Sequence, residues 1–153
     1  MFIANFRVMF SKTTEYALRA VIYIAQKGTE ENKLGLADIA KAIHSPRSFT
    51  AKILQQLTAG GKIISSVRGP GGGFYISAKA KKLPVRSVLS VMGEDVKLEK
   101  CVLGLKHCSE EKPCPMHASY KLIKPLIIDL FESKTIEMLA NEVSAGKSNI
   151  GNL

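Results

Sequence analysis

From residue 11 onward, apolar residues recur at spacings of three and four. Ala17, Ala20, Val21 and Ile24 form one stripe, Ser11 or Thr13 can act as N-cap and Gly28 as the stop, so a first helix is predicted over about residues 13 to 27. A polar loop follows. Leu36, Ile39, Ala40 and Ile43 then mark a second helix of barely two turns, interrupted at "HSPR" because Pro46 disfavours helix at Ser45 and suits the first turn of the next one. That third helix is predicted from Pro46 to Ala59, with Phe49, Ile53, Leu54 and Leu57 as its buried stripe and Ser48, Thr50, Ala51, Lys52 and Gln55 on other faces. Gly60 and Gly61 end it.

The period then changes. "KIISSV" and "FYIS" are short β-favouring segments, and "RGPGGG" joins them as the tip of a hairpin. Glycines let that tip approach another surface closely, and Arg68 places a guanidinium on it. A short helix, a turn, a longer polar-faced helix and a hairpin make a winged helix-turn-helix. The fold class expected is therefore mainly α with a small β-hairpin.

Beyond "AKAKKLP", at residues 78 to 84, Val85, Val88, Leu89 and Met92 predict a helix before Gly93. Leu122, Ile123, Leu126, Ile127, Leu130 and Phe131 predict a longer one, which Pro125 either kinks or begins. Its stripe is too wide for one exposed helix, and a second copy of the chain would cover the excess. Ser133 or Thr135 caps a last helix, "IEMLANEV". The organisation expected is a disordered extension over 1 to 10, with Met9 as an alternative start to Met1, a DNA-binding winged helix-turn-helix over 11 to 82, a cysteine loop and dimerisation helices over 83 to 143, and a flexible tail over 144 to 153.

Charge sharpens this division. Residues 1 to 82 carry thirteen Lys and Arg against four Asp and Glu, whereas residues 83 to 153 carry nine of each, so the whole net charge of +9 lies on the first half. A polyanion-binding module joined to a neutral one has that distribution. No apolar run is long enough to span a bilayer, no secretory segment is evident and the cysteine count of three is odd, so the expectation is a cytoplasmic protein without a disulfide framework or membrane partner. Catalytic motifs are missing as well. There is no Gly-x-Ser-x-Gly elbow, P-loop, dinucleotide fingerprint or Cys-x-x-Cys pair, which argues against an enzyme.

All three cysteines fall in "CVLGLKHCSEEKPCPMH", residues 101 to 117, which ends in a histidine. Cys101, Cys108, Cys114 and His117 are separated by six, five and two residues, wider than the paired ligands of a zinc knuckle. Thiolates with one imidazole suit soft metals, and the loose spacing favours an iron-sulfur cluster over zinc. A metal-free thiol site and plain coincidence stay open. His44 and His107 are read as surface residues.

"KTTEYALRA", "LADIA", "AKILQQL" and "SSVRGPGGGF", followed by a three-cysteine loop, resemble the bacterial winged-helix regulators typified by IscR, NsrR and CymR, also called the Rrf-two family. The resemblance spans about residues 9 to 140. It implies a homodimer with a long C-terminal dimerisation helix, in which loop cysteines Cys101, Cys108 and Cys114 ligate an iron-sulfur cluster, a two-iron two-sulfur one in the first instance. His117 stands where one branch has its fourth ligand, and Glu15, supplied by the partner subunit, is the alternative from another branch. The first cysteine interval is one residue longer than in the iron-sulfur members. Some members lack a cluster and respond through a partner protein or thiol chemistry, so a regulator using zinc, thiols or a partner is the alternative.

On this reading the third helix enters the major groove of double-stranded DNA with Ser48, Thr50, Ala51, Lys52 and Gln55 near base edges or phosphates. Arg68 and Gly69 reach the minor groove, and Lys12 and Arg47 neutralise phosphates. Two-fold symmetry implies a palindromic operator, at which the regulator acts as a repressor or an activator.

Overall fold

In a computed structural model of the chain, residues 9 to 59 and 63 to 151 are described. The expectations for an extension at residues 1 to 8 and for Gly60 and Gly61 as a helix stop lie outside them. Helix α1 (Lys12–Lys27) starts where the Ser11 hydroxyl accepts the Thr14 amide, which settles its cap in favour of Ser11, and Gly28 ends it. Helices α2 (Leu36–Ala42) and α3 (Arg47–Ala59) follow. Between them His44 adopts φ +53°, while its amide donates to Lys41 O and that of Ser45 to Ala40 O. This pair of bonds is a Schellman closure with histidine in the left-handed position usually held by glycine.

Strands β1 (Ser65–Val67) and β2 (Gly73–Tyr75) pair antiparallel, with Ser66 opposite Phe74. They are shorter than the β-favouring sequence because Ile63, Ile64 and Ile76 turn into the core instead of extending the ladder. On its other side Phe74 exchanges both backbone hydrogen bonds with Leu34, at 2.9 Å each, so the loop before α2 anchors the hairpin. Gly73 is required there, since a Cβ would stand 2.6 Å from Leu34 O.

Helices α4 (Ala78–Lys81) and α5 (Arg86–Val91), a 3-10 turn (Asp95–Leu98), α6 (His117–Ser133) and α7 (Ile136–Ser144) complete the order. Pro125 lies inside α6 without ending it. Thr135, not Ser133, caps α7 by accepting the Met138 amide. The main core unites Ala17, Val21 and Ile24 of α1 with Ile39, Ile53, Leu54, Leu57, Ala80 and Val88, and also takes in Ile136 and Ala140 of α7. It therefore runs across the expected division at residue 82. A backbone bridge reinforces the crossing, the Val85 amide donating to Lys134 O and the Ile136 amide to Leu83 O.

A second cluster joins Phe10, Leu89 and Leu98 to Ile127, Ile128 and Phe131 of α6, with the Phe10 and Phe131 rings edge to face at 5.5 Å. Phe10, expected in a disordered extension, is instead a buried part of that cluster, because the α6 face offers it an apolar partner.

Candidate DNA interface and cysteine site

Helix α3 is held from behind. Ile53, Leu54 and Leu57 are fully buried, and half-buried Phe49 meets the Tyr16 ring of α1 edge to face at 5.8 Å. At about 100° per residue, Ser48, Ala51, Lys52 and Gln55 lie together on the opposite side. Ser48, Lys52 and Gln55 are exposed and Ala51 is half-buried. Arg47 is exposed at the first residue of the helix.

Thr50 does not belong to this surface. It is fully buried, and its hydroxyl donates to Pro46 O at 3.0 Å. The expectation that it reads DNA is corrected, because roughly 200° separates it from Ser48 and puts it among Ile53, Leu54 and Leu57.

Arg68 and Gly69 are exposed at the hairpin tip. Gly69, at φ +93°, accepts the Gly72 amide at 2.9 Å, and a Cβ on Gly72 would strike Val67 O at 2.3 Å. The turn is tight by construction. Lys12 is largely exposed, with its ammonium 3.3 Å from the Glu15 carboxylate and 5.2 Å from the Tyr16 ring centroid. Glu15 engages Lys12 and, at 4.0 Å, Arg19.

The cysteine loop leaves the 3-10 turn and ends at the start of α6. Among the described residues, no three His, Cys, Asp or Glu side chains form a group that could hold a metal ion. The four expected donors stand as two pairs, Cys101 Sγ 3.6 Å from Cys114 Sγ and Cys108 Sγ 3.5 Å from His117 Nδ1. Cys101 is buried, Cys114 half-buried and Cys108 exposed. The backbone amide of Leu103, with those of Leu105 and Gly104, donates to Cys101 and holds its thiol below the usual range against the opposing effect of burial.

His117 is buried, and its Nε2 has no hydrogen-bond partner. Glu110 Oε1 stands 3.6 Å from it, too long for a hydrogen bond. The same carboxylate accepts Lys121 Nζ at 2.8 Å, and that ammonium, more than His117, holds the Glu110 carboxyl below its ordinary range. Three thiols and one imidazole, whose Nε2 lacks a partner, suit a soft metal in donor chemistry, whereas their arrangement in pairs stops short of one coordination shell.

Long-range polar contacts tie the loop to the rest of the chain, and local spacing contained no sign of them. Arg86 of α5 bonds Glu99, just before the loop, at 3.0 Å and also Glu132 of α6. Both carboxylates raise the Arg86 pKa, Glu99 more than Glu132. Lys124 of α6 donates to Glu99 O. Glu94 accepts the Ser11 amide at 3.0 Å, eighty-three residues away in sequence, at the cap of α1. The loop is thereby connected to the dimer-helix candidate and, through α5 and the 3-10 turn, to α1.

Residues 10 to 142 match the family model for Rrf2, described as an iron-dependent transcriptional regulator. An Aquifex aeolicus protein, described as an HTH-type transcriptional regulator, is 34% identical over 136 residues, which are 88% of this chain and 92% of that protein. IscR of Pectobacterium atrosepticum is 29% identical over 126 residues, covering 82% of this chain and 75% of its own. Two solved structures share the fold, each with a TM-score of 0.67. CymR, the global cysteine regulator of B. subtilis, is 20% identical over 86% of this chain and 95% of its own, and T. potens IscR is 17% identical over 93% of each. Among the described residues, no helix is long and apolar enough to cross a membrane.

Proposed function

Since the chain belongs to the Rrf2 family and is a DNA-binding transcriptional regulator, not an enzyme, we propose that it binds a palindromic operator as a cytoplasmic homodimer and that its cysteine loop gates this binding. The observation carrying the proposal is α3, anchored by its buried stripe and presenting Ser48, Ala51, Lys52 and Gln55, together with a tight, arginine-tipped turn in the hairpin that follows it. Lys52 and Gln55 are long enough to reach base edges or phosphates in the major groove, while Ser48 and Ala51 keep the helix face low enough to approach. Arg47 and Lys12 pair with phosphates, and Arg68 enters the minor groove next to Gly69. Two copies meet through Leu122, Ile123, Leu126 and Leu130, which α6 leaves exposed opposite its packed side.

The loop holds an iron-sulfur cluster, of the two-iron two-sulfur kind, through Cys101, Cys108 and Cys114. His117 is the fourth ligand, with Glu15 of the partner subunit as its alternative. Bound there, such a cluster supplies iron-thiolate bonds that respond to oxidation and nitric oxide. The chain's own part is positional. Arg86 and Lys124 hold the entrance of the loop at Glu99 against α6, and Glu94 holds the cap of α1, so a rearranged loop repositions both. A coupling of this kind is typically worth ~1–3 kcal/mol. The pairing of the four donors favours a second reading in which zinc or the thiols themselves carry the signal.

Two experiments test the proposal. Fluorescence anisotropy with operator fragments selected from genomic DNA should show Arg68→Ala weakening binding and changing base preference near the wing, and an unchanged affinity and preference would remove Arg68 from the interface. Anaerobically purified protein should absorb broadly between roughly 320 and 550 nm with matching iron and sulfide. Colourless protein after attempted reconstitution would eliminate the cluster and leave zinc or thiol sensing, which a zinc assay on the same sample separates.

A further inference from the structure

The three thiols are not equivalent. Cys101 and Cys114 are thirteen residues apart in sequence, yet their sulfurs are 3.6 Å apart. A disulfide needs ~2.05 Å between sulfurs, and small rotations about the two Cα–Cβ bonds close a gap of roughly 1.5 Å. Both partners are held in place. Cys101 is buried under a turn closed by the Gly104 amide on Cys101 O, with Gly104 at φ +74°, and Cys114 lies between Pro113 and Pro115. Cys108 faces elsewhere, toward His117 Nδ1 at 3.5 Å, and is exposed.

We propose that Cys101 and Cys114 are a redox-active dithiol that closes to an intramolecular disulfide under peroxide, leaving Cys108 as a single thiol beside His117. The chemistry balances with a peroxide as the two-electron oxidant. Half-buried Cys114, the more accessible of the pair, attacks the peroxide O–O bond as thiolate, giving a sulfenic acid and releasing the first water once a proton is taken up. Cys101 then attacks that sulfur, the S–S bond forms, and the sulfenic oxygen leaves as the second water with the Cys101 proton. Two thiols and one hydrogen peroxide thus give one disulfide and two waters, and a dithiol reductant returns the pair.

The bond needs no metal. Its consequence rests on the reading of the loop as sensor, because closing it removes two of three thiolates from any metal and joins the start of the loop to residue 114, three before α6. Peroxide therefore drives a state that cannot take up a cluster or zinc until it is reduced.

The test treats chelator-stripped full-length protein with equimolar hydrogen peroxide, blocks free thiols with iodoacetamide and maps the peptides by mass. The expected product has lost two hydrogen atoms, contains a peptide pair linked through Cys101 and Cys114, and carries one blocking group, on Cys108. Phosphine reductant should restore three blockable thiols, and Cys108→Ser, with an unchanged circular dichroism spectrum, should still form the bond. A bridge containing Cys108, a covalent dimer, or three blockable thiols after treatment would each overturn the proposal. An operator gel shift with the same reduced and oxidised samples separates the two readings. Unchanged binding and metal uptake in both states would strip the disulfide of its sensing role while leaving the dithiol in place, and DNA binding without any disulfide would sink the dithiol alone.

Discussion

Replacing Leu122 and Leu126 by glutamate should turn the proposed dimer into a monomer without unfolding the chain. Each leucine is 70% exposed in the single chain, and the accompanying Ile123 and Leu130 are 50% and 53% exposed. Full burial of a leucine side chain is worth about 2 kcal/mol, so covering the remaining area of these two leucines contributes about 1.4 kcal/mol each and, with both protomers counted, about 6 kcal/mol to association. At ~1.4 kcal/mol per tenfold, the double variant loses roughly four orders of magnitude in dimer affinity, and repulsion among the new carboxylates adds to the loss. The reverse face of α6 is untouched, because Ile127, Ile128 and Phe131 pack on Phe10, Leu89 and Leu98. Sedimentation velocity across a dilution series measures the shift, and circular dichroism checks the fold. A double variant that still sediments as the wild-type dimer would refute this face as the interface. Unfolding would refute the assignment of these leucines to a free surface.

Four further substitutions test local arguments. His44→Gly should stabilise the chain by about 1 kcal/mol in urea unfolding, since glycine relieves the left-handed strain at φ +53° and its own entropic penalty offsets only part of that gain. A loss of stability would mean that the imidazole makes a compensating contact. Thr50→Val should leave operator sequence preference intact and lower stability by about 1 kcal/mol through the lost bond to Pro46 O, whereas Lys52→Ala should weaken DNA binding and lessen its salt dependence. A changed base preference in Thr50→Val would return Thr50 to the interface. Burial raises the Glu94 carboxyl, but donation from Ser11 and the Lys97 ammonium outweighs it and leaves the group below its ordinary range. Its stabilising contribution is thus present above the unfolded pKa and is lost as pH falls through the lower folded value. Glu94→Gln should be less stable than wild type by on the order of 1 kcal/mol at neutral pH, and thermal unfolding should show the two converging in acid. A gap that persists at acid pH would assign the effect to packing.

Much of the candidate interface was legible because its determinants are local. The three- and four-residue spacings of α1 and α3, the Ser11 cap and the glycine-dense turn each follow from backbone sterics within a few residues. The misplacement of Thr50 was also avoidable, since its wheel position between Leu57 and Leu54 already put it on the buried side. A polar side chain hides there because its hydroxyl bonds back to the preceding turn.

Other features had no local signature. The Glu94 bond to Ser11, the Arg86 bridge to Glu99 and Glu132, and the burial of Phe10 against Phe131 join positions far apart in sequence, so they exist only once the helices have packed. The cysteines mark the boundary between the two kinds of information. Their number, softness and crowding into one loop are sequence properties and make redox or metal chemistry a candidate. Which thiol faces which is decided by the turn at Gly104 and the docking of the loop on α6, and this places Cys101 beside Cys114 and leaves Cys108 to His117. Spacing along a flexible loop constrains only the maximum distance between side chains, whereas packing chooses one arrangement among all those within reach.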